Sequence, residues 1–241
     1  MIDWLLKGPK EAPQVEVAGR LLPVVLKRTA QARRMTMRLA PDGSEVRITL
    51  PRWARSAEAL DFANKRKGWL AGQLAAVPEK VSLGHGAELS FLGEVRTIVH
   101  DPAAPRRIRA EQGEIRLGGP VESLTARLTR WLEGEALRLV SEDLAHYCAV
   151  AGQPVPKISL SRARRRWGSC AHDGTIRINW RLVMAPATVR RSVVAHEVAH
   201  LVHFDHSPEF HAFLDRIFED DIRAANRWLK RHGKQLYVPL G

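Results

Sequence analysis

The sequence predicts an α+β protein in which a β-rich N-terminal region containing a helix precedes a mainly helical domain with a small sheet. Three observations predict it. Apolar and polar residues alternate in short runs up to about residue 117, and turn-forming residues separate those runs. From Glu122 onward, three- and four-residue apolar spacings dominate.

Met35, Met37 and Leu39 alternate with polar residues, Pro41-Asp42-Gly43 supplies a turn, and Val46, Ile48 and Leu50 alternate again, which is the pattern of a hairpin. After Pro51 the period changes. Ser56 with Glu58 opens a helix whose Leu60, Ala63, Leu70 and Leu74 recur at helical multiples, and Pro78 ends it. Residues 81 to 117 return to short strands with turns at Gly84, Leu92-Gly93 and Gln112-Gly113. Gly118-Gly119-Pro120 marks a boundary, dividing the chain into residues 1–120 and 121–241.

The second region opens with a helix from about Glu122 to about Val150, since Leu124, Leu128, Leu132, Leu139 and Leu144 share a face and Gly152 with Pro154 stops it. Short strands are expected between Val155 and Leu182, including the alternating Ile176, Ile178 and Trp180. Pro186 suits a first helical position, and Val189, Val193, Val194 and Leu201 imply a buried helix to about His203. Ser207-Pro208 reads as the N-cap and first-turn proline of a helix carrying Phe210, Phe213, Leu214 and Ile217 inward. A last helix near Asp221 to Arg231 ends at Gly233, and no internal repeat is evident.

Composition narrows the class. With 45% hydrophobic and 27% charged residues, the chain of 241 residues is globular, not disordered. No apolar run approaches the ~18 residues of a membrane span, and none near the N-terminus has signal-peptide length, so a soluble protein is expected. Two cysteines, Cys148 and Cys170, make neither a disulfide framework nor a CxxC pair, which points to the reducing cytoplasm. The net charge of +12 suits an anionic partner, nucleic acid or nucleotide, through long-range attraction, without by itself specifying one.

Five of the ten histidines fall between 196 and 211, and His196-Glu197-Val198-Ala199-His200 is an HExxH motif inside an expected helix. Imidazoles at i and i+4 stand one turn apart on one face, so both reach one zinc at ~2.0–2.1 Å. Glu197 leaves at an adjacent angle, where it can take a proton from a zinc-activated water. The flanking Val193, Val194, Ala195, Val198, Ala199 and Leu201 bury this helix, and polar side chains there need partners. His203 lies seven residues past His196, a rise of ~10.5 Å, too far for both to bind one ion. His206 is the preferred third ligand, because a reversal before Ser207-Pro208 returns it to the metal; Glu219 is its competitor. The offset matches the metzincin HExxHxxGxxH pattern, but His203 replaces the glycine and no methionine turn follows.

A second informative stretch is Arg164-Arg165-Arg166-Trp167-Gly168-Ser169-Cys170, followed by Ile176-Arg177-Ile178-Asn179-Trp180-Arg181-Leu182. Taken with His196 to Phe210, it resembles the YgjP-like zinc metallopeptidases, relatives of the SprT and WLM groups, whose members carry an RWGSC segment, an INLNWRL-type strand, then HExxH and HSxxF. The order of the regions is similar too, so the resemblance covers nearly the whole chain. It implies a zincin-like metallopeptidase domain in which His196, His200 and His206 hold zinc, Glu197 is the catalytic base, and the substrate is a protein or peptide. The chain departs from that pattern at His211, where an aromatic such as Trp is expected, and in the arginines before Trp167.

Arg166, Trp167 and His203 are the expected substrate-side residues, and the oxyanion donor stays open among His203, Arg166 and Tyr237. Two rival readings use the same residues. One is a metal-dependent nucleotide phosphohydrolase working through the Arg162–Arg166 segment; the other is a nucleic-acid-binding module with structural zinc.

Overall fold

Alternation becomes a sheet where one face can be buried. In the computed structural model, which describes residues 13–40, 43–75, 83–238 and 240, the first such sheet holds β1 (Gln14–Val17), β2 (Arg20–Thr29), β3 (Thr36–Leu39) and β4 (Val46–Pro51). Pro41-Asp42 and Pro78, expected as turn and helix stop, lie outside the described residues. The strand order is β1-β2-β4-β3, with two antiparallel hairpins joined through a parallel β2-β4 pair. Val15, Val17, Leu22, Val24, Val46, Ile48 and Leu50 share a core with Ala59, Ala63, Leu70 and Leu74 of two helices, α1 (Ser56–Lys65) and α2 (Lys67–Ala75).

One helix is expected from the spacing here, but the chain breaks at Arg66, where φ is −115° and ψ is 22°. Lys65, Arg66 and Lys67 followed by Gly68 favour a helix C-terminus at this point, since cations complement the negative end of the helix dipole.

The same strand plan occurs a second time. The strands β5 (Glu88–Phe91), β6 (Glu94–Asp101), β7 (Arg109–Glu111) and β8 (Glu114–Gly118) lie in the order β5-β6-β8-β7, again as two antiparallel hairpins joined by a parallel pair. Leu92 (φ 55°) and Gly93 (φ 84°) turn the first hairpin as Ala18 (φ 50°) and Gly19 (φ 75°) turn its counterpart. A repeat therefore exists in topology where none is visible in sequence. What persists is the alternation and the turn position, not the identity of the side chains.

The second copy is continuous with the helical region. Its Leu89, Phe91, Ile98, Ile115 and Leu117 join Leu124, Leu128 and Leu132 in one buried cluster. The two compact units are accordingly residues 1–79 and 80–241, not halves divided after residue 120. The glycines at 118 and 119 mark a turn into a helix, which a reading of local composition does not separate from a linker.

In the second unit α3 (Leu124–Ala151) buries a stripe from Leu124 to Cys148. It ends at Gly152, which is left-handed at φ 65°, with Gln153 N–H donating to the Cys148 carbonyl at 2.9 Å. A small sheet follows, β9 (Ile158–Ser161), β10 (Gly168–Cys170) and β11 (Ile176–Asn179), in the order β10-β11-β9, so β10 is an edge. Trp180 leaves the strand and starts a short 3-10 stretch, with the Arg181 N–H donating to the Asn179 side chain.

The next helix, α4 (Ala187–Ala199), is fixed at both its start and its middle. The Leu92 N–H donates to the Val183 carbonyl at 2.8 Å, and the Gly93 backbone lies so near Pro186 that a Cβ would stand 2.8 Å from the Pro186 Cα. Arg190 of α4, 4% exposed, donates to Asp143 of α3, 8% exposed, at 2.7 Å. Removing the carboxylate strands a buried guanidinium. Asp143→Ala is expected to lower the unfolding free energy by about 3–5 kcal/mol, and a denaturation midpoint equal to wild type contradicts this.

Beyond α4 come α5 (Pro208–Ile217) and α6 (Ile222–His232), capped by Ser207 and Asp221. Among the described residues no helix is long and apolar enough to cross a membrane.

Candidate metal centre

The buried face of α4 brings the HExxH residues together, and the chain reversal after it adds a third imidazole. The helix stops at Ala199 instead of reaching His203; the Leu201 and Val202 N–H groups bond back to Val198 and Ala199, tightening the last turn. Asp205 accepts from the Ser207 N–H at 3.3 Å and Ser207 accepts from the Phe210 N–H at 3.4 Å, which reverses the chain into α5. This returns His206 to the helix. Its Nε2 lies 3.3 Å from the His196 Nε2, and one nitrogen from each of His196, His200 and His206 falls within 4.8 Å of the others.

The His196–His206 spacing fits two ligands of one metal ion, with a His200 nitrogen within 4.8 Å of both. Two nitrogens bound to one zinc at ~2.0–2.1 Å in tetrahedral array stand about 3.3–3.4 Å apart. The His200 Nδ1 lies 3.0 Å from the His203 carbonyl oxygen, a bond that leaves Nε2 for an ion. Phe210 backs all three rings, with centroid separations of 5.0, 4.5 and 4.9 Å from His196, His200 and His206. Burial, with a smaller contribution from the neighbouring imidazoles, pushes the His196 pKa down to about 4, and burial lowers that of His200. Neutral imidazole is the metal-binding form.

Glu219, the rival ligand, is engaged elsewhere. It follows α5 instead of lying on it, and its carboxylate accepts from the Tyr147 hydroxyl at 2.9 Å and pairs with Arg191 at 2.5 Å. Among the described residues, no other three His, Cys, Asp or Glu side chains converge in this way.

Glu197 is 5% exposed and lies under β10. The Gly168 backbone passes so close that a Cβ there would stand 2.3 Å from the Glu197 Oε1 and 2.7 Å from its Cδ. Burial pushes the Glu197 pKa up to about 7, opposed by the nearby Cys170 backbone and by the positive charge of Arg166. Cys170 is itself raised, mainly by burial and then by the Glu197 charge.

The other expected site residues are distributed around this centre. Arg166 acts on Glu197 through its charge, as just described. The His203 ring packs against Phe213 at 5.6 Å, and its carbonyl is the group that meets His200. Trp167 packs on Tyr237 at 5.5 Å and against Gly233, where a Cβ would stand 2.8 Å from the indole. The Tyr237 hydroxyl donates to the Ala163 carbonyl at 2.9 Å, holding the arginine segment in place. Within that segment Arg162 pairs with Glu133 at 2.7 Å.

Sequence reasoning missed the closeness of Gly168 to Glu197 and the Arg190–Asp143 pair. A glycine inside a strand pattern is a signal for close backbone approach; nothing in the sequence says to what. Phe210 was legible as a buried residue, but not as the common backing of three imidazoles.

An α+β fold with three imidazoles converging at an HExxH helix, one of them next in sequence to a buried carboxylate, has the form of a metallohydrolase site. Residues 33–232 match the YgjP-like family, described as a metallopeptidase domain, and the chain belongs to that family. Among curated proteins there is no match. A solved structure, the crystal structure of the metallopeptidase zymogen of Pyrococcus abyssi abylysin, is similar at 20% identity and a TM-score of 0.35 over 42% of this chain and 99% of that one.

Proposed function

We propose that this chain is a zinc-dependent peptidase in which His196, His200 and His206 hold the metal and Glu197 is the general base. The convergence of the three ligand nitrogens within 4.8 Å, next to a carboxylate 5% exposed, carries the reading. Zinc at such a site supplies a Lewis acid for the scissile carbonyl and makes water more acidic. Glu197 takes the proton of the attacking water and delivers it to the departing amine.

Arg166 and His203 are the substrate-side groups, and the oxyanion is met from that side. The outer edge of β10 has no strand beside it among the described residues, so an extended peptide can pair there through main-chain bonds. Such contacts tolerate many sequences. Cys148 and Cys170 are free thiols, in keeping with action in a reducing cytoplasm.

The test is metal removal and return, followed with a denatured protein as substrate. The purified protein is expected to hold about one zinc per chain, to lose hydrolysis on chelation and to regain it with zinc. His206→Ala is expected to weaken zinc binding by more than the ~10–100-fold that loss of an outer hydrogen-bonding partner costs. Hydrolysis that survives complete chelation, or unaltered zinc affinity in His206→Ala, refutes the proposal.

A further inference from the structure

The N-terminal unit carries a surface that the metal centre does not use. Residues 1–79 hold 14 Lys and Arg against 8 Asp and Glu, a net of +6, equal to the net of the remaining 162 residues, which hold 24 against 18. Charge is thus about twice as dense in the smaller unit. Part of it gathers on one side. Arg34 and Arg66 line a pocket of about 310 Å³ together with Met35, Met37, Phe62 and Trp69. Arg34 and Thr36 also border a second hollow of about 580 Å³, which adds Arg33, Gln31 and Thr29, so the two form one groove along the start of β3.

The lining has a particular chemistry. Trp69 is 46% exposed, and the Arg66 guanidinium lies 4.8 Å from the centroid of the Phe62 ring. Neither Arg33, Arg34 nor Arg66 has a carboxylate partner among the described residues, whereas Arg47 and Lys65 of the same unit pair with Glu45 and Asp61. Flat aromatic and guanidinium faces beside unpaired cations are what a base with flanking phosphates needs. An acidic peptide uses the cations but leaves the exposed indole unmatched.

We propose that this double pocket binds single-stranded nucleic acid, one base stacking on Trp69 and the Phe62–Arg66 pair while neighbouring phosphates lie on Arg33 and Arg34. The inference stands apart from the peptidase reading and does not require it.

Fluorescence anisotropy of the full chain with labelled twelve-nucleotide oligo-dT and oligo-rU tests it. Binding of either strand supports the proposal, and the two arms separate DNA from RNA as the source. Trp69→Ala is expected to weaken binding by about 5- to 100-fold, the range for loss of one stacked base, while Trp69→Tyr keeps most of it. Arg33→Ala with Arg34→Ala is expected to reduce the slope of log affinity against log salt by about 1.4, from two phosphate contacts on a single strand.

Arg33, Arg34 and Trp69 are exposed, so the variants are expected to fold, with circular dichroism spectra matching wild type as the check. The proposal is overturned if neither strand binds at low salt, or if Trp69→Ala binds as wild type does. It is equally overturned if a duplex, polyglutamate or free uridine monophosphate competes as well as the single strand.

Discussion

Glu197→Gln is expected to keep zinc at wild-type stoichiometry and to lower hydrolysis of a protein substrate by about 10²–10⁴-fold, the range that a positioned general base contributes. The amide has nearly the shape of the carboxylate. It fits under Gly168, where the carboxylate now lies. What it lacks is the ability to take a proton. Because Glu197 is only 5% exposed, the neutral side chain also removes the cost of burying a charge, so the variant is expected to be no less stable than wild type. Metal analysis, thermal melting and turnover on one preparation make the check. Turnover within a few-fold of wild type, with zinc bound, eliminates Glu197 as the base and leaves the metal assignment untouched.

Much of the site was legible because its signals are local. The i and i+4 histidines need only helical periodicity, and the apolar residues around them announce burial. His206 needed one further step, a reversal marked by the Ser207 cap and Pro208, and the structure places the reversal there. The long helix was legible for the same reason, from its leucine spacing and Gly152.

What was hidden depends on pairings distant in sequence. Glu219 looks available as a ligand until Tyr147, 72 residues away, and Arg191 are seen to hold it. The division at residue 79 depends on β5–β8 sharing a core with α3, and no local composition encodes that. The recurring strand plan escaped because topology survives exchange of one buried apolar side chain for another.

Gly168→Ala tests whether the edge strand holds the base in place, and it is expected to lower kcat by about 10²-fold with KM and zinc content little changed. Gly168 is not left-handed, so alanine is acceptable to the backbone and only space is at issue. The new Cβ falls 2.3 Å from Oε1 and 2.7 Å from Cγ and Cδ of Glu197, and something must move. The strand is tied by its ladder to β11, with Gly168 opposite Ile178, and α4 is tied by Arg190 to Asp143. The side chain of Glu197 is the softest element of the three. Displacement of a reacting group by about 1 Å costs on the order of 10²-fold in rate.

The three atoms nearest the new Cβ all belong to Glu197 and none to His196 or His200, so zinc affinity is expected to hold. Adding Gly168→Ala to Glu197→Gln should then cause little further loss, because both substitutions disable one group. Losses that multiply in the double variant, or zinc lost together with activity in Gly168→Ala alone, show that the strand supports the whole centre rather than the base. Unimpaired turnover in Gly168→Ala shows that Glu197 does not need its present position.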